Sequence, residues 1–119
     1  MRFLIVDDSS LDRHLLTSLL EGLGHQVDAC PTPKDGMERL STGNYAAVFL
    51  DIVMPEQDGY KFLRQVRSNQ KTASQHVIFC SSKKTPIEVD YGIKRAGAND
   101  YLVKPVTKES VSQVLQKVG

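Results

Sequence analysis

The sequence has few of the features that mark several large classes of protein. It contains no tryptophan and only two cysteines, Cys30 and Cys80, which are too far apart to form a zinc motif or a Cys-x-x-Cys redox pair. Its longest apolar run, residues 45–50, is far shorter than the roughly 20 residues of a membrane-spanning helix. The apolar stretch at residues 3–6 is also shorter than the roughly 7–15 residues of a secretory signal. We therefore expect a cytoplasmic protein whose cysteines are reduced apolar filler.

The charge is nearly balanced overall but unevenly distributed. The 119 residues carry 15 basic and 14 acidic side chains, for a net charge of +1, which argues against a general nucleic-acid binder or a membrane-surface protein. Residues 1–60 hold ten acidic and four basic side chains, whereas residues 61–119 hold four and eleven. The length predicts one domain, residues 1–119, with its acidic groups concentrated early.

Short apolar segments alternate with helical patterns along the chain. Strands are predicted at residues 3–6, 26–30, 45–50, 77–80 and 101–103, each followed by a helix. Strict alternation of this kind is typical of a parallel sheet covered by helices on both faces. The fold class is therefore α/β, a single doubly wound domain with five parallel strands and five helices.

The first helix is predicted from its start signal and its leucines. Ser9 and Asp12 form a start that resembles a capping box. Leucines recur at every fourth position and predict the buried face. They are Leu11, Leu15, Leu19 and Leu23.

Polar and charged side chains follow four of the five strands. Asp7 and Asp8 follow the first, Asp51 the third, Ser81 the fourth and Lys104 the fifth. Ligands of open parallel sheets bind outside the carboxyl ends of the strands, so we expect these side chains to share one site.

Three neighbouring carboxylates require a cation. Bare like charges 4 Å apart repel by roughly 4 kcal/mol at an effective dielectric constant of 20. Oxygen ligands at an open site favour Mg²⁺ over Ca²⁺ or Mn²⁺. The ammonium of Lys104 and the hydroxyl of Ser81 suit a group with negative oxygens, so we interpret the site as a phosphoryl acceptor with Asp51 as nucleophile.

In its motifs the chain resembles a response-regulator receiver domain from end to end. The matching segments are residues 6–9 (VDDS), residues 51–55 (DIVMP) with Asp58 and Gly59, Ser81, and the pair Lys104 and Pro105. The resemblance implies a flavodoxin-like sheet of order 2-1-3-4-5 and a phosphoacceptor switch that is not a turnover enzyme.

The resemblance also implies a role for each residue that matches the motif. Asp51 would accept the phosphoryl group. Asp8, Asp51 and the main-chain carbonyl of Val53 would ligate Mg²⁺ directly, and Asp7 would act through a bound water. Lys104 would contact the phosphoryl group.

Two further features of the family match this chain. The peptide bond between Lys104 and Pro105 is expected to be cis. Tyr101 matches the aromatic residue that moves inward when Ser81 is drawn toward the phosphoryl group.

The expected partners follow from the same resemblance. A histidine kinase or phosphotransfer domain would supply the phosphoryl group, and helix four, strand five and helix five would bind a downstream protein. Direct contact with nucleic acid or insertion into a membrane is not expected. Residues 94–106 are similar to stand-alone regulators of twitching or phototactic motility, so a role in motility or taxis is expected.

Other functions fit less well. An aspartate-nucleophile phosphohydrolase carries a second Asp two residues after the nucleophile, where this chain has Val53. In a flavodoxin-like electron carrier, the pair Asp7 and Asp8 would repel the cofactor phosphate. A dinucleotide-binding domain needs its Gly-x-Gly after a strand, whereas residues 22–24 precede one.

The site departs from the best-known chemotaxis receiver at two flanking positions. Val53 and Lys83 replace polar or acidic residues that help to place the hydrolytic water in relatives. We therefore expect the phosphorylated form to live longer than in that relative.

Overall fold

The computed structural model describes residues 1–55 and 57–118, so Gly119, the last residue of the expected domain, lies outside the described residues. Strands and helices alternate along the described chain. The strands are β1 (Arg2–Val6), β2 (Gln26–Cys30), β3 (Ala47–Asp51), β4 (Val77–Ser81) and β5 (Asp100–Val103). The helices are α1 (Ser10–Gly22), α2 (Pro33–Thr42), α3 (Gly59–Ser68), α4 (Pro86–Asp90, continued by a π-helix over Tyr91–Arg95) and α5 (Lys108–Leu115).

The five strands form one parallel sheet in the order β2-β1-β3-β4-β5, which confirms the predicted fold class. The register aligns the strand ends. Val6 pairs with Leu50, Asp51 with Cys80, and Ser81 with Val103. The residues that follow β1, β3, β4 and β5 therefore come out at the same edge of the sheet.

Two apolar layers cover the sheet. One face presents side chains such as Leu4, Val6 and Leu50 to α2 and α3, and the other presents Phe3 and Phe49 to α1 and α5. The alternation along β1 and β3 follows from the period of two in a strand. Because both faces are buried, these strands contain almost no polar residues.

The prediction for the buried face of α1 was wrong for its first half. Leu11 is 75% exposed and Leu15 is 40% exposed, whereas Leu16 and Leu20 are buried. A four-residue step advances about 400° around a helix, so a row of every fourth residue drifts by about 40° per step. The buried face is centred on Leu16 and Leu20, and Leu19 and Leu23 of the predicted row are only partly buried against the same cluster.

The fourth helix changes type along its length. It reaches Arg95, but its second half is π-helical. Gly92 lies in this π-helical part, against the rings of Phe79 and Tyr101, where an added Cβ would lie 3.1 Å from ring atoms.

The cysteines are confirmed as free and buried. No helix among residues 1–55 and 57–118 is both long enough and apolar enough to cross a membrane.

Candidate functional site

Three carboxylates converge where β1 and β3 end. One oxygen from each of Asp7, Asp8 and Asp51 lies within 4.8 Å of the others. Asp7 and Asp51 are buried, with 4% and 6% of their surface exposed, and Asp8 is exposed. The backbone N–H of Ser9 donates to Asp7 Oδ1 at 2.9 Å and fixes the turn that follows β1.

Lys104 reaches this cluster from the end of β5. Its Nζ lies 2.9 Å from Asp7 Oδ2, 2.9 Å from Asp12 Oδ2 and 3.5 Å from Asp51 Oδ1. Its backbone N–H donates to the carbonyl of Ser81 at 2.9 Å, and its peptide bond to Pro105 is cis. The site therefore joins residues almost 100 positions apart in the chain.

The electrostatics of the cluster reflect its excess of negative charge. Burial and the neighbouring Asp7 carboxylate raise the pKa of Asp51 to about 7, although Lys104 acts in the opposite direction. Burial alone would lower the pKa of Lys104. The hydrogen bonds that it donates to Asp7 and Asp12, with the charge of Asp51, outweigh burial and raise that pKa above its ordinary value.

The donor set fits a hard divalent cation. Its members are carboxylate oxygens, they approach one another closely, and one of them, on Asp8, faces solvent. This chemistry suits Mg²⁺, which binds proteins through one or two carboxylates and keeps several waters. A bound cation would also relieve the repulsion that raises the pKa of Asp51.

The loop between β3 and α3 folds tightly against the end of β3. The backbone N–H of Gly59 donates to the carbonyl of Ile52 at 2.7 Å. Val53 is 61% exposed, whereas Met54 is buried and anchors the loop in the core. An added Cβ on Gly59 would collide with the carbonyl oxygen of Asp51, so only glycine permits this approach.

Ser81 and Tyr101 meet the same stretch of backbone before α4. Ser81 is buried, and its Oγ accepts a hydrogen bond from the backbone N–H of Lys83 at 3.2 Å. The hydroxyl of Tyr101 donates to the carbonyl of Lys83 at 2.7 Å. The tyrosine ring already lies inward, with 8% of its surface exposed.

These side chains surround an open pocket of about 410 Å³. It is lined by Asp8, Ser9, Asp12, Asp51, Val53, Ser81, Ser82, Lys104 and Pro105. Asp7 does not line the pocket, but its carboxylate binds the ammonium of Lys104, which does. The pocket brings together every residue predicted for the site except Asp7 and Tyr101.

Two contributors were not predicted from the sequence. Asp12 was interpreted only as part of a helix start, yet its carboxylate binds Lys104 and does not return to the N–H of Ser9, which bonds to Asp7. Arg13 Nη1 donates to the carbonyl of Asp7 at 2.7 Å. The sequence feature that could have indicated both residues is their position. Asp12 and Arg13 are an adjacent charged pair near the start of a helix that begins beside the acidic motif.

Comparisons with known proteins agree with this geometry. The model of a family described as the response regulator receiver domain matches residues 3–116. The chain is 37% identical over 117 residues to Protein PilH of Pseudomonas aeruginosa, across 98% of this chain and 96% of PilH. It is 34% identical over 116 residues to the two-component response regulator ORR11 of Oryza sativa, across 97% of this chain and 78% of that protein.

Solved structures show the same fold. The chemotaxis protein CheY4 of Vibrio cholerae matches with a TM-score of 0.89 at 24% identity, across 99% of this chain and 98% of that chain. The response regulator TrrA of Thermotoga maritima, solved in complex with Mg²⁺ and BeF, matches with a TM-score of 0.84 at 25% identity, across 99% and 98%.

Proposed function

Because the chain belongs to the response regulator receiver domain family, we propose that it is a phosphorylation-controlled switch in which Asp51 accepts the phosphoryl group. One observation carries this proposal. Asp51 is a buried carboxylate at a strand end, 3.5 Å from the Lys104 ammonium and grouped with the oxygens of Asp7 and Asp8. The receiver unit extends over residues 1–119 and acts in the cytoplasm.

The reaction is a transfer from a phosphohistidine of a kinase or phosphotransfer domain. An oxygen of Asp51 attacks phosphorus, the new O–P bond forms as the P–N bond breaks, and the histidine ring leaves with the electron pair. The Lys104 ammonium and the Ser81 hydroxyl then bind oxygens of the transferred group. Water later attacks phosphorus and releases phosphate, which restores the Asp51 carboxylate.

Mg²⁺ fits the acidic cluster as its cofactor. Asp8, Asp51 and the main-chain carbonyl of Val53 would hold it directly, and Asp7 would act through a water. When bound, it supplies positive charge that offsets the carboxylates and the incoming phosphoryl oxygens. The TrrA structure holds Mg²⁺ with BeF, which supports this assignment by family membership.

The switch connects Ser81 to α4 through the backbone of Lys83. A Ser81 hydroxyl that turns toward a phosphoryl group no longer accepts from the Lys83 N–H in the same geometry. The carbonyl of the same residue accepts from Tyr101. A shift of Lys83 therefore moves the start of α4, and it also moves the carbonyl to which the Tyr101 hydroxyl donates.

The output surface is formed by α4, β5 and α5. Ile87, Tyr91 and Ile93 on the fourth helix are 83%, 47% and 37% exposed, and Val103 at the end of β5 is 37% exposed. Several exposed apolar side chains on adjacent elements are a mark of a protein-binding surface. We expect this surface to bind a downstream protein in a motility or taxis system, as the likeness of residues 94–106 to stand-alone motility regulators indicates.

Acetyl phosphate tests the proposal directly. The protein is incubated with this donor, with and without Mg²⁺, and its intact mass is followed over time. We expect the protein to gain one phosphoryl group when Mg²⁺ is present. Asp51→Asn should show no gain. Asp35→Asn, which changes an exposed carboxylate on α2, should gain the group as the unaltered protein does. Phosphorylation that persists in Asp51→Asn would overturn the proposal, and continuous phosphate release over many turnovers would favour a hydrolase.

A further inference from the structure

Asp12 is an additional carboxylate at the site that comes from a helix and not from a strand end. It lies in the first turn of α1, where an acidic side chain is commonly stabilised by the helix dipole. That role does not require a partner. Asp12 nevertheless has one, because its Oδ2 accepts a hydrogen bond from Lys104 Nζ at 2.9 Å.

This bond determines where the Lys104 ammonium sits. Its contacts to Asp7 and Asp12 are equally short at 2.9 Å, whereas Asp51 Oδ1 is farther away at 3.5 Å. An ammonium has three N–H donors, and the two acids occupy two of them. Lys104 is therefore held mainly by residues other than the acceptor.

Asp12 also faces the space that a phosphoryl group would enter. It lines the same open pocket as Asp51 and Ser81. Its side chain is 37% exposed, against 8% for Asp51, so it is the outer partner of Lys104. An anionic donor that enters the pocket meets three carboxylates, those of Asp8, Asp51 and Asp12.

We propose that Asp12 is a positioning residue that slows phosphoryl transfer to Asp51, because it holds the Lys104 ammonium away from the acceptor and adds negative charge to the pocket. The proposal rests on the function proposed above. It predicts that Lys104 leaves Asp12 when it binds the phosphoryl oxygens.

The first test compares initial rates of phosphorylation by acetyl phosphate and by phosphoramidate at saturating Mg²⁺. Asp12→Asn removes the charge, Asp12→Glu keeps it, and Glu21→Gln makes the same charge change at an exposed position farther along α1. We expect Asp12→Asn to be faster on the order of tenfold, as loss of a nearby like charge predicts. Asp12→Glu and Glu21→Gln should stay close to the unaltered protein.

The second test needs no phosphoryl donor. In protein labelled with ¹⁵N-lysine, the Nζ protons of Lys104 should exchange slowly with water and should exchange faster in Asp12→Asn but not in Glu21→Gln. A merely structural role for Asp12 would leave both this signal and the rates unchanged.

The outcomes separate the two proposals. If the unaltered protein is phosphorylated but Asp12→Asn is no faster, or is slower, this inference fails and the proposed function stands. If neither donor phosphorylates the unaltered protein, the proposed function fails and this inference fails with it, even if the Nζ signal shows the contact.

Discussion

Replacement of Gly59 by alanine tests how closely the loop after Asp51 packs on β3. The structure places an added Cβ 2.9 Å from Ile52 Cα and 3.1 Å from the carbonyl carbon of Asp51, and in collision with the carbonyl oxygen of Asp51. All three are backbone atoms, so no side-chain rotation can relieve the contact. The N–H of Gly59 also donates to the carbonyl of Ile52, which opposes a retreat of the helix start.

The expected cost follows from this geometry. Overpacking of a filled interior costs about 1–3 kcal/mol, and a backbone clash falls at the upper end. In a domain of this size 1 kcal/mol corresponds to about 4 °C in melting temperature, so Gly59→Ala should melt about 10 °C lower. Gly22→Ala is the matched control, because nothing lies within 4 Å of an added Cβ there and reduced freedom of the unfolded chain should stabilise it by about 0.4–1 kcal/mol.

Thermal and urea unfolding measure both variants, and acetyl phosphate labelling measures the site. Gly59→Ala should also be labelled more slowly, because relief of the clash displaces Asp51. A Gly59→Ala protein as stable as the original, with Gly22→Ala behaving as expected, would refute the tight packing of the loop.

Three further predictions concern other parts of the molecule. Arg67→Ala should lower the free energy of unfolding by about 3 kcal/mol in urea titration, because the guanidinium donates to the carbonyls of Ala73, Gln75 and Gly97 and to Asn99 Oδ1; a change below 1 kcal/mol would contradict this. Burial raises the pKa of Cys30 to about 11 and that of Cys80 to about 12, so a thiol reagent at neutral pH should label the native protein slowly and the urea-unfolded protein rapidly; fast native labelling would show that the core opens. The phosphorylated protein should persist longer than seconds, and Val53→Asn should shorten its lifetime several-fold by holding a water near phosphorus, whereas an unchanged decay in an intact-mass time course would argue against that role.

Much of the fold could be predicted because its signals are local. The strands that carry Leu4 and Phe49 are buried on both faces and are continuously apolar, so their pattern marks them directly. The helix start at Ser9 was an equally local signal, and its side chain accepts a hydrogen bond from the backbone N–H of Asp12. Errors arose where tertiary packing decided the outcome, as for Leu11, whose exposure depends on how α1 lies on the sheet.

The candidate site shows the same division. Asp7, Asp51 and Lys104 could be predicted because strand ends of a parallel sheet share one edge. The role of Asp12 could not, since a carboxylate in the first turn of a helix already has a local explanation as a cap or dipole partner. Only the folded structure shows that the ammonium of Lys104, 92 positions away, binds the Asp12 carboxylate.

Chemical trapping tests whether Asp51 is the residue that takes up the phosphoryl group. Protein labelled with acetyl phosphate and Mg²⁺ can be reduced with borohydride, which converts an aspartyl phosphate to homoserine, and the product can be located by peptide mass spectrometry. We expect homoserine at position 51, with Asp7, Asp8 and Asp12 unchanged. Homoserine at any of those three positions, or a label that survives borohydride on another residue type, would contradict it.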